Sequence, residues 1–485
     1  MILGIDLGTS MIKAVAFSPE GEPLAVASRK PTLRHVARDR VEQDFEEVVD
    51  AVGAVVREVR QKVGAEPLAI GVTGQSDGLW LLDARGRPVR AAISWLDGRG
   101  NATLQRWTDS GVFEAVFRRN ANAIFPGSHA PFLSALAETE PAVLEAAFTA
   151  SYLKDGILQR LTGARVTDAS DASLPFLDIE KRDYDPEILR LLGLERYARL
   201  LAPVTPPPGA AFPVNAEGAA LTGLPEGVPV HAGPFDLPAC AIGAGVDTVG
   251  DGLIILGTTL ACEVLVDRID RAAEPMGMTL CMPTPGRWMR AAPAMVGTAS
   301  LDWILALVGA TPDQLESLLA ESGPGARGVT ALPYFSATGE RAPFSDVRAR
   351  GQLSGLSMGA SRADLVTAVC ESVAYAARHC IEAAGLTGRL FISGGGANSP
   401  AWSQMIADVL QIPLHIARRP EVGARGAAMT AMDVVGIAYD RAAWTRPDGV
   451  IEPRANASVY RDGYAYYLET VAAARKLWSL QARPA

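Results

Sequence analysis

Ile2-Leu3-Gly4-Ile5-Asp6-Leu7-Gly8-Thr9-Ser10, continued by Met11 to Phe17, reads as a short apolar strand, a turn and a second strand. The apolar run before Asp6 has the length of a buried strand, and Asp6 to Ser10 supplies turn chemistry, so the segment is a hairpin. Leu24 to Ala27 follows as a third strand. Further strands are expected at Ala69 to Thr73, Trp80 to Leu82, Val89 to Ile93 and Val228 to Ala232, with an amphipathic helix over Phe45 to Val63. Strands interleaved with helices in this way predict an α/β fold.

The opening is repeated half a chain later. Gly252-Leu253-Ile254-Ile255 runs into the turn Leu256-Gly257-Thr258-Thr259, and Cys262 to Val266 resumes as a strand. Two such hairpins suggest two lobes of related topology, each presenting backbone N–H groups toward one cleft. A length of 485 residues agrees with two large domains or three ordinary ones. The expected boundaries are 1–245 and 246–440, with a C-terminal extension over 441–485. The proline-rich stretch Pro203 to Pro208 is a surface connection within the first domain. The glycine-rich segment 243–252 is the expected hinge for closure over a ligand. In the extension, Asn456 to Gln481 reads as one amphipathic helix with Tyr460, Tyr464, Tyr467, Leu468, Val471 and Trp478 on its apolar side and Gly463 as a weak point. That helix packs either on its own lobe or in a homodimer contact.

With 48% hydrophobic and 20% charged residues the chain has the composition of a compact globular protein. A net charge of -9 and a pI near 5.3 argue against nucleic-acid or anionic-membrane surfaces, which reward clustered Lys and Arg. The five cysteines form no CxxC pair, so neither a disulfide framework nor a zinc site is expected. No metal-ligand spacing appears among the five histidines, and His129, His231 and His379 read as structural. The N-terminus has no basic stretch before its apolar run, and no run approaches the roughly 18 apolar residues of a membrane span. The cytoplasm is the expected compartment.

Three segments carry chemistry. In the first turn Gly8 permits close backbone approach, Thr9 and Ser10 offer hydroxyls and N–H groups, and Lys13 adds charge, which are the parts of a phosphate site. Asp6 repels phosphate directly but is compatible with it through Mg2+ and water. The same residues also suit an ordinary tight turn. In Ala232-Gly233-Pro234-Phe235-Asp236-Leu237-Pro238-Ala239, Asp236 stands after a strand and before a small-residue helix, where α/β folds bind ligands. Its alternative role is to cap that helix. The third segment, Ser393-Gly394-Gly395-Gly396-Ala397-Asn398-Ser399-Pro400, either leaves room for a flat ligand or is a flexible turn. Ser399 is the expected N-cap and Pro400 the first helical residue, ahead of an apolar face of Trp402, Met405, Ile406, Val409 and Leu410.

Ile5-Asp6-Leu7-Gly8-Thr9-Ser10 resembles the first phosphate motif of the actin-like ATPase superfamily. Gly351-Gln352-Leu353-Ser354-Gly355-Leu356 with Asp364-Leu365-Val366-Thr367-Ala368-Val369-Cys370-Glu371 is similar to the C-terminal signature of the FGGY carbohydrate kinases, Cys370 alone departing from it. Tyr152 to Gly156, Leu161-Thr162-Gly163, Thr167 to Ser173 and Gly339 to Pro343 extend the likeness over residues 2 to about 437. The resemblance implies two actin-like, ribonuclease H-like domains of related topology flanking a catalytic cleft. It implies ATP and Mg2+, with transfer of a phosphoryl group to a primary hydroxyl of a small sugar or sugar alcohol. Asp236 falls at the general base. Gly8, Thr9, Ser10 and Lys13 with Gly257, Thr258 and Thr259 fall at the two phosphate motifs, Gly395, Gly396, Ala397 and Asn398 at the adenosine motif, and Asp6 at the metal.

Gln75, Ser76, Asp77, Trp95, Asp97 and Arg99, with Asp236, fall where the family lines its acceptor pocket, and Gln75, Asp77, Asp97 and Arg99 offer the donors and acceptors that bracket adjacent hydroxyls. The chain departs from D-xylulose kinases, which usually carry Met-His in place of Ser76-Asp77 and Asn in place of Leu237. An acid at 77 looks more like glycerol and erythritol kinases. Phe132 and Ala135 depart from the family's N-terminal signature. The expectation is therefore a C4 to C5 ketose or alditol first, D-xylulose next and glycerol third. A chaperone-like ATPase of the same superfamily shares the glycine turns but has no reason to carry the 351–371 signature.

Overall fold

The computed structural model describes residues 1–336, 339–418, 421–455 and 458–480. They form two compact units. The first takes in Met1–Gly245 together with Asp267–Met289 and Arg419–Arg446; the second takes in Val246–Val266, Arg290–Arg418 and Pro447–Ala485. The continuous ranges expected from sequence thus differ from the units, because two later segments return to pack with the first.

In the first unit the strands Ala211–Pro213, Pro229–Ala232, Ala69–Gly74, Ile2–Leu7, Ile12–Phe17 and Pro23–Arg29 lie side by side in that order. The hairpin pairs Ile2–Leu7 antiparallel with Ile12–Phe17, Asp6 standing opposite Lys13. On its other side Ile2–Leu7 pairs parallel with Ala69–Gly74, and that strand pairs parallel with Pro229–Ala232. Three neighbouring strands therefore point the same way, and the turns after Leu7, Gly74 and Ala232 emerge at one end of the sheet. This is the end at which α/β sheets place ligand sites.

Helix Phe45–Val63 covers the sheet, as its pattern predicts. Asp44 caps it by accepting from the Glu46 N–H at 3.0 Å, and Gly64 ends it in the left-handed region. Val48, Val49, Val52, Val55, Val56 and Val59 are buried at helical spacing against Leu3, Ile5 and Val72 of the same core cluster. The opposite face is covered by helix Val422–Val435, which approaches so closely that a Cβ on Gly4 would lie 2.0 Å from the Ala424 carbonyl oxygen, and one on Gly71 would lie 1.9 Å from that of Ala427. A second core in this unit gathers Leu79, Ile93, Phe132, Leu136, Phe176 and Ile188. The strand expected over Val89 to Ile93 shrinks to Ala92–Ile93, because Val89 instead donates its N–H to Leu81 in the turn back.

In the second unit Leu260–Val266, Gly252–Leu256, Leu390–Ser393, Leu414–Ile416 and Gly449–Ile451 are adjacent in that order. Gly252–Leu256 pairs antiparallel with Leu260–Val266 and parallel with Leu390–Ser393, the arrangement found around Ile2–Leu7. The signature segment forms the strand Gln352–Ser354 and the buried helix Arg362–Ala384, whose N-cap Ser361 makes a capping box with Asp364. Helix Ser458–Leu480 packs on its own unit: the Tyr467 and Tyr334 hydroxyls meet at 2.7 Å and the Tyr464 hydroxyl donates to Glu382 at 2.7 Å. The expected end residues Asn456 and Gln481 lie outside the described residues.

Candidate active site

The first glycine turn is tied to the loop after Gly74. Gly8 donates its N–H to the Met11 carbonyl at 3.0 Å, which closes the turn. The Thr9 hydroxyl donates to the Gln75 side-chain oxygen and accepts from the Trp95 indole N–H at 2.8 Å. Gln75 also donates its backbone N–H to Leu7 at 3.0 Å and its side-chain amide to Gln43 at 2.9 Å. Asp77 is 7% exposed and holds a φ of 58°. A non-glycine residue there is strained, and such strain collects at functional sites.

Asp236 is the first residue of helix Asp236–Ala244. Phe235 occupies the N-cap and makes no side-chain cap bond. Asp236 is therefore the first helical residue and not the N-cap, and its carboxyl accepts from the Leu237 N–H of the first turn. Burial pushes its carboxyl up to about 8, the fields of Asp6 and Asp77 add to the shift, and the Leu237 N–H partly opposes it. Asp6 is pushed up to about 6 by desolvation, with Lys13 opposing and Glu421 adding. Asp6 and Asp77 thus both act on Asp236 at the common end of the three parallel strands. Hard oxygen donors short of positive charge fit a divalent cation such as Mg2+. Among the described residues no group of three or more His, Cys, Asp or Glu could hold a metal by itself.

Other expected residues are occupied by protein partners. Lys13 pairs with Glu421 at 2.6 Å. The Ser76 hydroxyl donates to Asp171 at 2.6 Å. Asp97 is spent on the Val41 N–H at 2.7 Å and on Arg99, while Arg99 also reaches Glu42 at 2.8 Å and is 5% exposed at its side chain. The bracketing of ligand hydroxyls expected of Asp97 and Arg99 gives way to a closed network that ties this loop to the strand Arg40–Gln43. Ser10 is exposed at the tip of the first turn.

In the second unit Gly257 closes its turn by donating to Thr259 at 3.1 Å, and the N–H groups of Thr298 and Ala299 donate to the Gly257 and Thr258 carbonyls at 2.8 and 3.2 Å. Gly395–Asn398 forms a single 3-10 turn after Leu390–Ser393, and Ser399 accepts from the Trp402 N–H at 3.1 Å with Pro400 first in the helix. Because Gly252–Leu256 and Leu390–Ser393 are parallel neighbours, both glycine segments emerge at the same end of that sheet.

Glu421, Glu42 and the buried group Lys154, Asp155, Asp168 and Asp171 were not singled out by side-chain chemistry in the sequence. The small-residue run Gly423-Ala424-Arg425-Gly426-Ala427-Ala428 was the one local sign that the chain beside Glu421 packs closely on the sheet.

Residues 1–243 match the model of the N-terminal domain of the FGGY family of carbohydrate kinases, and residues 252–433 match that of the C-terminal domain. An erythritol kinase of Brucella abortus (strain 2308) is 32% identical over 508 residues, covering 99% of this chain and 97% of the relative. A xylulose kinase of Escherichia coli (strain K12) is 31% identical over 455 residues, covering 89% of each. The crystal structure of xylulose kinase from Rhodospirillum rubrum superposes with a TM-score of 0.89 at 29% identity, covering 99% of both chains. The two family models between them match most of the chain, and the chain belongs to the FGGY family of carbohydrate kinases.

Proposed function

We propose that this carbohydrate kinase transfers the γ-phosphoryl group of ATP to a primary hydroxyl of a C4 to C5 alditol or ketose. The observation that carries the reading is Asp236: it is a buried carboxyl on the first residue of a helix, and Asp6 and Asp77 both raise it. In this reading Asp236 accepts the proton of the attacking hydroxyl, and Gln75, Asp77 and Trp95 line the acceptor. Gly8 and Gly257 close the two turns, whose N–H groups on Thr9 and Ser10 and on Thr258 and Thr259 bind the phosphates, while Gly395, Gly396, Ala397 and Asn398 contact the adenosine. Asp6 holds Mg2+ through water, and the bound ion supplies neutralisation of the phosphoryl oxygens. The acceptor and catalytic groups belong to the N-terminal domain and the adenosine contacts to the C-terminal one.

The alditol side of the range is favoured by Asp77 and by the relative named erythritol kinase. D-Xylulose remains the second reading, supported by the xylulose kinase relative. Release of ADP, measured across tetritols, pentitols, pentuloses and glycerol, tests both. Turnover concentrated in the C4 and C5 polyols is the expected result. Turnover with D-xylulose alone overturns the ranking, and no ADP release with any member overturns the reading.

A further inference from the structure

Lys154 is completely buried, and its ammonium meets Asp155 at 2.6 Å, Asp168 at 2.9 Å and Asp171 at 2.9 Å. Desolvation acts to discharge such a lysine, but three carboxylates hold its pKa well above the ordinary value, so it stays charged. One cation among three carboxyls leaves the group short of positive charge. Burial accordingly raises Asp171 well above the carboxylate range and pushes Asp155 up to about 6, while Asp168 is held low by Lys154 and by the Ser170 groups that bond it. Replacing such a group with apolar side chains is often harmless to stability, so its retention calls for another reason.

Two arms leave the group. Along the first, Asp171 accepts from the Ser76 hydroxyl at 2.6 Å, and Ser76 stands between Gln75 and the strained Asp77. Along the second, Asp168 accepts from the Ser170 N–H at 2.8 Å, and the Ser170 hydroxyl accepts from the Phe235 N–H at 3.1 Å, one residue before Asp236. Gly233 packs on Asp168 as well; a Cβ there would lie 3.0 Å from its carboxyl carbon. The two turns lie at the ends of parallel strands whose register ends at Leu7 with Gly74 and at Ala232 with Val72; past it the Gly233 N–H still donates to Val72 at 3.0 Å and the Thr73 hydroxyl to the Pro234 carbonyl at 2.7 Å, but neither bond reaches residues 75–78. Beyond those points Lys154 and its carboxylates supply a connection between the loops.

We infer that Lys154 is a positioning residue that sets the acceptor loop at Asp77 against the turn carrying Asp236, acting through Asp171–Ser76 and Asp168–Ser170. The inference rests on the reading of Asp236 and Asp77 given above. Misplacement of reacting groups by about 1 Å costs on the order of 100-fold in rate, so the network acts on phosphoryl transfer without touching substrate.

Lys154→Met strands three buried carboxylates and is expected to fold poorly, so the test relies on Ser76→Ala and Ser170→Ala, each of which cuts one arm. Hydrogen–deuterium exchange of the folded variants should quicken at residues 75–78 in Ser76→Ala and at 233–237 in Ser170→Ala, with Ile2–Leu7 unchanged. In kinetics, Ser76→Ala should chiefly raise the acceptor KM, and Ser170→Ala should chiefly lower kcat, by on the order of tenfold or more. Binding of ADP should stay within about twofold in both. Ser170→Thr, which keeps the hydroxyl, should restore kcat. Unchanged exchange in both segments, or quickened exchange throughout the unit, overturns the inference, as does an equal loss of kcat in the Thr and Ala variants. A wild-type chain that turns over no polyol overturns the proposed function instead, and the exchange pattern still decides whether Lys154 joins the loops.

Discussion

Lys13 and Glu421 stand 408 residues apart in the chain, and their side chains meet at 2.6 Å. The lysine expected to meet phosphate is thus held by a carboxylate that the returning helix brings to the first turn. Both side chains are partly exposed, at 28% and 22%, so the pair contributes little to stability. Its effect falls on the ligand, because Glu421 occupies Lys13 and adds negative charge beside Asp6. Glu421→Gln should therefore tighten ADP binding by about two- to fivefold, the range that a partly exposed pair supports. Calorimetric titration with ADP measures it, and weaker binding would mean that Glu421 orients Lys13 rather than competing for it.

As the proposed base, Asp236 ties activity as well as stability to pH. With its carboxyl pushed up to about 8, it carries a proton through the neutral range and can accept another only once that proton leaves. The acceptor kcat/KM should fall about tenfold per pH unit below 8. For stability, the folded state keeps a proton that the unfolded chain, with a value near 3.8, has released. The unfolded state binds fewer protons between about pH 4 and 8, so stability falls as pH rises through that window. Asp236→Asn should lose on the order of 10² to 10⁴ in rate, yet melt at a higher temperature than wild type at pH 8 and with little difference near pH 4. A lower melting temperature at pH 8 would contradict the assigned burial.

Local signals carried most of what the sequence disclosed. The helix Phe45–Val63 is bounded by its own cap and glycine, and Ser399 with Pro400 starts helix Pro400–Leu410 where those residues say it should. The hairpins declare themselves because turn chemistry follows apolar runs of strand length. Side-chain partners did not declare themselves, since an ion pair depends on residues distant in the chain. Asp97 and Arg99 looked available for a ligand because Glu42 and the Val41 N–H, which occupy them, belong to another strand. Lys154 and Asp171 stood only within stretches that extend the family likeness, and their pairing was hidden for the same reason. The separation of segments 267–289 and 419–446 from their sequence neighbours is equally invisible locally, because it arises from bonds such as Thr279 to Asn122 in the one and from packing of helix Val422–Val435 on the first sheet in the other.

Asp77 offers a way to test acceptor recognition without disturbing the fold. Its φ of 58° is tolerated best by Gly, Asn and Asp, so Asp77→Asn keeps the turn and removes the charge. The acceptor KM should rise, by roughly tenfold if one charge-assisted hydrogen bond is weakened, while the KM for ATP stays unchanged. Because Asp77 also raises the Asp236 carboxyl, the inflection of the pH–rate profile should move to lower pH. An unmoved inflection would mean that the two residues do not share a field during turnover.

The sheet itself depends on the absence of side chains where helix Val422–Val435 lies on it. A Cβ on Gly71 would stand 1.9 Å from the Ala427 carbonyl oxygen, and the atom it meets is backbone, which cannot swing aside. Gly71→Ala must therefore push the helix outward, and overpacking of this kind costs roughly 1–3 kcal/mol. Glu421 stands at the N-terminus of that helix, so the displacement should reach the Lys13 pair and Asp6 as well. The expected outcome is a lowered melting temperature together with altered ADP affinity. Gly64→Ala serves as the control, since a Cβ there meets nothing within 4 Å and only its φ of 69° is strained. It should lower the melting temperature while leaving ADP affinity untouched. Equal effects of the two substitutions on ADP binding would show that the contact at Gly71 does not reach the phosphate turn.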